Sequence, residues 1–184
     1  MLAGPSEYET QLTHWLPEHP YNEGFRRAAE ILGDHISRFP ADIQDLTMPV
    51  MYCYRHAVEL RLKHLWTVAT WLSASGAQPL KGHDLRALWD QVKLILSQRI
   101  PPHRRGLSEL DTAEIVVHEL AELDPRGEGF RYPEKRGGGP SLQPDVSVNL
   151  HNVWTVMPRL LEFLDDAAAG IVVELLQRDR PRRP

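Results

Sequence analysis

Cysteine is almost absent: Cys53 stands alone among 184 residues. A disulfide framework within the chain is therefore excluded, and so is a zinc site built on cysteine pairs. Cys53 lies in an apolar run, where a lone thiol behaves as a small hydrophobe. Lysine is also scarce, with 4 of the 21 basic residues, against 17 arginines. Arginine suits bidentate contacts to carboxylate or phosphate, although an arginine-rich genome gives the same bias. The formal net charge is −4, so no global basic field draws the chain to nucleic acid. No apolar run approaches the roughly 20 residues of a membrane span. The opening Met1-Leu2-Ala3-Gly4-Pro5-Ser6-Glu7 lacks the charged and apolar regions of a signal peptide. Together these absences lead to the expectation of a cytoplasmic protein with no membrane contact.

What is present is helical periodicity. Residues 1–20 are polar and interrupted by Pro5, Pro17 and Pro20, and read as an extended arm. From Asn22 to Arg38, Phe25, Ala28, Ala29, Ile31, Leu32 and Ile36 gather on one side at helical spacing. A second helix is expected from about Met48 to Ser73, with Pro49 in its first turn. Val50, Tyr54, Ala57, Val58, Leu65, Val68, Ala69 and Leu72 form its apolar arc, and Cys53, Leu60 and Trp71 widen it. So broad an arc predicts a central place in a bundle.

A third helix is expected after Lys81-Gly82-His83-Asp84, with Leu85, Leu88, Trp89, Val92, Leu94, Ile95 and Leu96 as its apolar face. The run Ile100-Pro101-Pro102 should end it. A fourth should span about Leu107 to Leu123, with Leu110, Ile115, Val116, Leu120 and Leu123 apolar and Ser108 as cap. Residues 124–145 break the pattern and read as a loop or a short hairpin. A last helix should run from about Val146 to Arg178, and residues 179–184 read as a frayed basic tail. The fold expected is all-α: one bundle domain over 21–178, of about five helices, with one long central helix.

Several polar groups stand out. Arg55, Glu59 and Lys63 recur at i, i+4, i+8 on the second helix. They read as two ion pairs on a helix face or as a polar seam facing a ligand. Arg61 and His64 fall within the apolar arc, where a charge needs a partner, and a paired structural role is the expectation. His83-Asp84 fits a capped helix start more readily than a general acid–base pair. Glu114, His118 and Glu122 share a face, yet one histidine with two carboxylates is a weak metal signal. No metal and no cofactor are expected. Phe130-Arg131-Tyr132 can stack on a base and hold a phosphate. Alternatively, its aromatics pin the loop while Arg131 pairs with Asp124 or Glu128.

The segments Tyr54-Arg55-His56-Ala57-Val58-Glu59-Leu60-Arg61-Leu62-Lys63, Gly82-His83-Asp84-Leu85-Arg86-Ala87-Leu88-Trp89, Asp124-Pro125 and Phe130-Arg131-Tyr132-Pro133 resemble the landmarks of a group of uncharacterised bacterial proteins. That group is similar to the HEPN superfamily of helical bundles, found in toxin–antitoxin, phage-defence and RNA-processing systems. The resemblance runs in order over roughly residues 20–165. Active HEPN ribonucleases carry an arginine, four to six residues, then a histidine, usually with the site formed across a dimer. No arginine–histidine pair here has that spacing. The resemblance therefore implies a non-catalytic bundle binding a nucleotide, an RNA or a protein partner, and a homodimer. Arg55, Glu59, Lys63, His83, Arg131 and Tyr132 would line its site. One alternative is a metal-independent ribonuclease toxin with a rearranged site of Arg55, His56, Arg61 and His64. Another is a structural dimerisation module.

Overall fold

A computed structural model describes residues 19–70, 79–99, 108–144 and 146–178. Five helices make up the ordered framework: α1 (His19–Arg38), α2 (Ile43–Thr70), α3 (Leu85–Leu96), α4 (Glu109–Leu123) and α5 (Leu150–Arg178). Among the described residues there is no strand, and no helix is long and apolar enough to cross a membrane. The all-α expectation holds. The expected arm over residues 1–18, the expected end of the second helix at about Ser73, the stop at 100–102 and the tail at 179–184 lie outside the described residues. His19 and Pro20, expected in the arm, already belong to α1.

Helix α2 is the centre of the bundle and packs on α1, α3 and α5. Burial runs most of the way round it. Val50, Met51, Tyr54, Ala57, Val58, Leu62 and Leu65 are inaccessible or nearly so, and Arg55, Glu59 and Arg61 are buried with them. The helix starts five residues earlier than expected, because a 3-10 turn over Pro40–Asp42 leads straight into Ile43. Pro49 thus lies inside α2 and not in its first turn. It removes one backbone donor near the N-terminal end, where the burial of Val50 and Met51 offsets the loss.

The caps follow the sequence closely. Asp84 accepts hydrogen bonds from the amides of Arg86 (2.9 Å) and Ala87 (3.3 Å) at the start of α3. Ser108 and Asp111 form a reciprocal capping box on α4. The apolar faces need correction at three positions. Ile31, Leu94 and Ile115, expected in the core, are 52%, 67% and 45% exposed. Each helix buries only the stripe that meets α2 or its neighbour, and these three side chains fall outside that stripe.

Between α4 and α5 the chain is held by turns. Glu134 and Pro140 form an isolated bridge around the turn at Lys135–Gly139. Of the two expectations for 124–145, the loop is correct and the hairpin is reduced to that bridge. Phe130 is buried and anchors the loop to the core.

Candidate functional site

At about 100° per residue, Tyr52, His56, Glu59 and Lys63 occupy one narrow stripe of α2, with Arg55 at its edge. Arg55 is almost fully buried. Its Nη1 donates to Glu59 Oε2 at 3.1 Å, its Nη2 to the carbonyl of His83 at 2.6 Å, and its Nε to the carbonyl of Asp124 at 3.2 Å. Asp124 Oδ2 lies 3.4 Å from the same Nε, a charge contact without hydrogen-bond geometry. One guanidinium therefore ties α2 to the approach of α3 and to the end of α4.

The loop is shaped around this guanidinium. Asp124 Oδ1 accepts from the amides of Glu128 and Gly129 at 3.0 and 2.9 Å, curling the chain back on itself. Gly127 sits in the left-handed region at φ 72°. A Cβ there would lie 2.7 Å from Arg55 Nη1, so glycine is required for both conformation and space.

Glu59 closes the network. Its Oε1 accepts from Lys63 Nζ and faces His83 Nδ1, each at 2.8 Å. A carboxylate only accepts, so that imidazole nitrogen carries the proton. Burial pushes the Glu59 carboxyl up, but the hydrogen bonds and charges of Lys63 and His83 outweigh it and hold the group below the ordinary glutamate value. Both carboxylate oxygens and all three nitrogens of Arg55 are thus engaged within the protein. These two residues are buried and brace the site.

The outward face is aromatic. Phe25 of α1 meets the His56 ring edge-on at 4.4 Å, and His56 stacks on Tyr52 at 5.6 Å with 10° between planes. Arg131 lies over Tyr52 at 5.7 Å and over Tyr132 at 5.3 Å. Its Nε donates to the carbonyl of Gly127 at 2.8 Å. The result is a column running Phe25–His56–Tyr52–Arg131–Tyr132, with Tyr132 54% exposed at its open end. Burial lowers the His56 pKa, Glu59 opposes that shift, and Lys63, Arg55 and Arg131 add to it, so the neutral imidazole is favoured over its ordinary balance. Arg131 pairs with neither Asp124 nor Glu128, the partners considered from sequence. Its charge is met by ring faces and a carbonyl.

The expected binding set therefore divides. Arg55, Glu59, Lys63 and His83 converge on each other, while Arg131 and Tyr132 stand beside them on the surface. Arg61 belongs elsewhere. It is buried and pairs with Asp165 of α5 at 2.8 Å and Glu23 of α1 at 3.4 Å, roughly 140° around α2 from His56. His64 is half-buried on that same side. The structural pairing expected of Arg61 is present. The four candidates for a rearranged ribonuclease site are divided between two sides of the helix. His83 and Asp84 also separate, one to Glu59 and the other to the α3 cap. On α4, Glu114 and Glu122 are taken by Lys93 and Arg86 of α3.

Tyr52 and Gly127 carry the site with the others, though sequence reasoning did not single them out for a role, and Asp124, weighed from sequence as a partner of Arg131, serves Arg55 instead. Tyr52 stands four residues before His56, a spacing that places the two rings together on a helix. The Asp-Pro-x-Gly-x-Gly run after α4 carries a turn signal that an aspartate accepting from later amides would satisfy. In comparisons with family models, curated proteins and solved structures, nothing matches this chain.

Proposed function

We propose that the chain is an HEPN-like bundle that binds single-stranded RNA or a free nucleotide without cutting it. The base would stack on the open end of the Tyr52–Arg131–Tyr132 column. The observation that carries this reading is Arg131 held between two tyrosine faces with one ring half open to solvent. Aromatic faces and arginine planes accept any base, and cations beside them track phosphate. Lys81, Arg126 and Lys135 are exposed nearby in sequence, on the approach to His83 and on the loop that carries Arg131. They make no ion pair among the described residues. The buried Arg55–Glu59 pair, with Lys63 and His83 at its more accessible edge, acts as the brace that holds this loop against α2.

Binding without cleavage rests on the same geometry. Phosphodiester cleavage by such proteins needs a histidine and an arginine converging on one phosphate. Here Arg55 is fully engaged, Arg61 is turned to α5, and His56 is packed between Phe25 and Tyr52. The context we propose for such a protein, on the resemblance to HEPN bundles, is a toxin–antitoxin or phage-defence system.

Fluorescence anisotropy with a labelled single-stranded RNA, and competition by ADP, tests the reading. Arg131→Ala and Tyr132→Ala should each weaken binding roughly 5- to 150-fold, the equivalent of about 1–3 kcal/mol per stacked base. The RNA should be recovered intact. Wild-type protein without affinity for either ligand, or affinity indifferent to both substitutions, overturns the proposal. Cleavage abolished by His56→Ala would favour the rearranged ribonuclease site instead.

A further inference from the structure

Asp124 and Ser141 line one pocket of about 220 Å³, between the end of α4 and the turn that leads back toward α5. Both of its sides are fixed by backbone contacts. Asp124 Oδ1 takes the amides of Glu128 and Gly129, and the Ser141 amide donates to the Pro133 carbonyl at 2.9 Å. Gly129 lets the two sides close on each other, since a Cβ there would lie 2.5 Å from Leu142 Cδ2. Two polar atoms are left over. Asp124 Oδ2 and Ser141 Oγ are both buried without a hydrogen bond among the described residues. Asp124 itself is only 2% exposed. Arg55 Nε lies 3.4 Å from Oδ2 but outside hydrogen-bond geometry. Unpaired buried groups are rare because they cost free energy, which a bound donor offsets. Arg126 and Lys135 stand exposed at the rim and make no ion pair among the described residues. The other two carboxylates of the lining, Glu122 and Glu128, face Arg86 and Arg136.

We infer that this pocket binds a small free amino acid. An ionised carboxylate only accepts, so the ligand must bring a donor, and the charge of Asp124 favours a cationic one. A primary ammonium has three donors, enough for Asp124 Oδ2 and Ser141 Oγ together. The ligand's own carboxylate then meets Arg126 and Lys135 at the rim. A zwitterion matches this order of charges, acid inside and base outside. A nucleotide does not. The pocket is smaller than the roughly 300–1,000 Å³ of sites for drug-sized ligands, and a phosphate would enter toward a buried carboxylate. No residue of the aromatic column lines it, so it is a site apart from the one proposed for the base. The two sites share only the loop that Asp124 curls and Arg55 tethers.

Calorimetric titration of the full chain with the standard amino acids in turn tests the inference. At least one small amino acid should bind saturably. Its N-acetyl derivative, which lacks the ammonium, should not bind. Its amide keeps the ammonium and loses the carboxylate, as a peptide N-terminus does, and should bind about 10-fold more weakly or worse. Ser141→Ala removes one hydrogen bond to a charged group and should weaken binding about 10-fold, with the melting temperature of the free protein unchanged. Lys135→Ala should weaken the amino acid and leave the amide as it was. No binding at about 10 mM of any amino acid overturns the inference and leaves a trapped water as the partner of the two atoms. An N-acetyl derivative or an amide that binds as tightly as the amino acid overturns it too, as does an affinity indifferent to both Ser141→Ala and Lys135→Ala.

Discussion

Removing Arg55 should be among the most damaging single changes in the bundle, and its cost follows from what it leaves behind. In Arg55→Met the aliphatic stem is kept and the guanidinium is lost. Asp124 Oδ2, already without a hydrogen bond, loses the one cation beside it among the described residues. The carbonyls of His83 and Asp124 lose donors, and Glu59 loses one of three partners. Breaking a buried ion pair from one side costs about 3–5 kcal/mol. Glu59→Gln should cost less, about 2 kcal/mol. Arg55 keeps Asp124 and the His83 carbonyl, and Lys63 and His83 are accessible enough to regain water. The pair is coupled, so the double variant should be more stable than the sum of the singles implies. Urea denaturation of the four proteins measures this. At about 2–4 °C per kcal/mol for a domain of this size, Arg55→Met should melt roughly 6–20 °C early. Trypsin should also cut it faster at Arg126 and Arg131, whose loop has lost its tether. A cost below about 1 kcal/mol for Arg55→Met, or a larger cost for Glu59→Gln, would refute the view of Arg55 as the brace.

Gly127→Ala should destabilise by about 2 kcal/mol, from the left-handed backbone and from a Cβ 2.7 Å from Arg55 Nη1. In an Arg55→Met background the steric part should vanish, and an unchanged cost there, read from thermal melts, would contradict the contact. Acidification should unfold the protein through His56 first. Burial holds its folded pKa below the ordinary 6.5, so the unfolded chain binds the extra proton. Stability is complete above that value and falls as the pH drops through it toward the lower folded pKa. Glu59, also lowered, adds a second loss below its ordinary 4.5, as the pH approaches its own folded value. Urea midpoints at pH 7.5 and 5.5 should converge in His56→Gln relative to wild type, and an identical pH slope in the two proteins would rule out this origin.

The local chemistry of the chain was legible without its structure. Asp84 and Ser108 announce helix starts because capping is settled within four residues. The apolar arc of α2 is wide enough to demand neighbours on most sides. Arg61, set among apolar positions, requires a partner wherever the helix is placed. Only the tertiary structure decided which partners those are. Asp165 lies 104 residues from Arg61, and Asp124 lies 69 from Arg55. No periodicity within one helix reports a contact across such distances. The same limit explains Ile31, Leu94 and Ile115, apolar side chains that the packing of the described helices leaves largely exposed. It explains the seam as well. The spacing of Arg55, Glu59 and Lys63 fixes that they share a face. Their engagement with each other, with His83 and with Asp124, leaving Arg131 and Tyr132 as the open surface, depends on where the packed helices carry the loop.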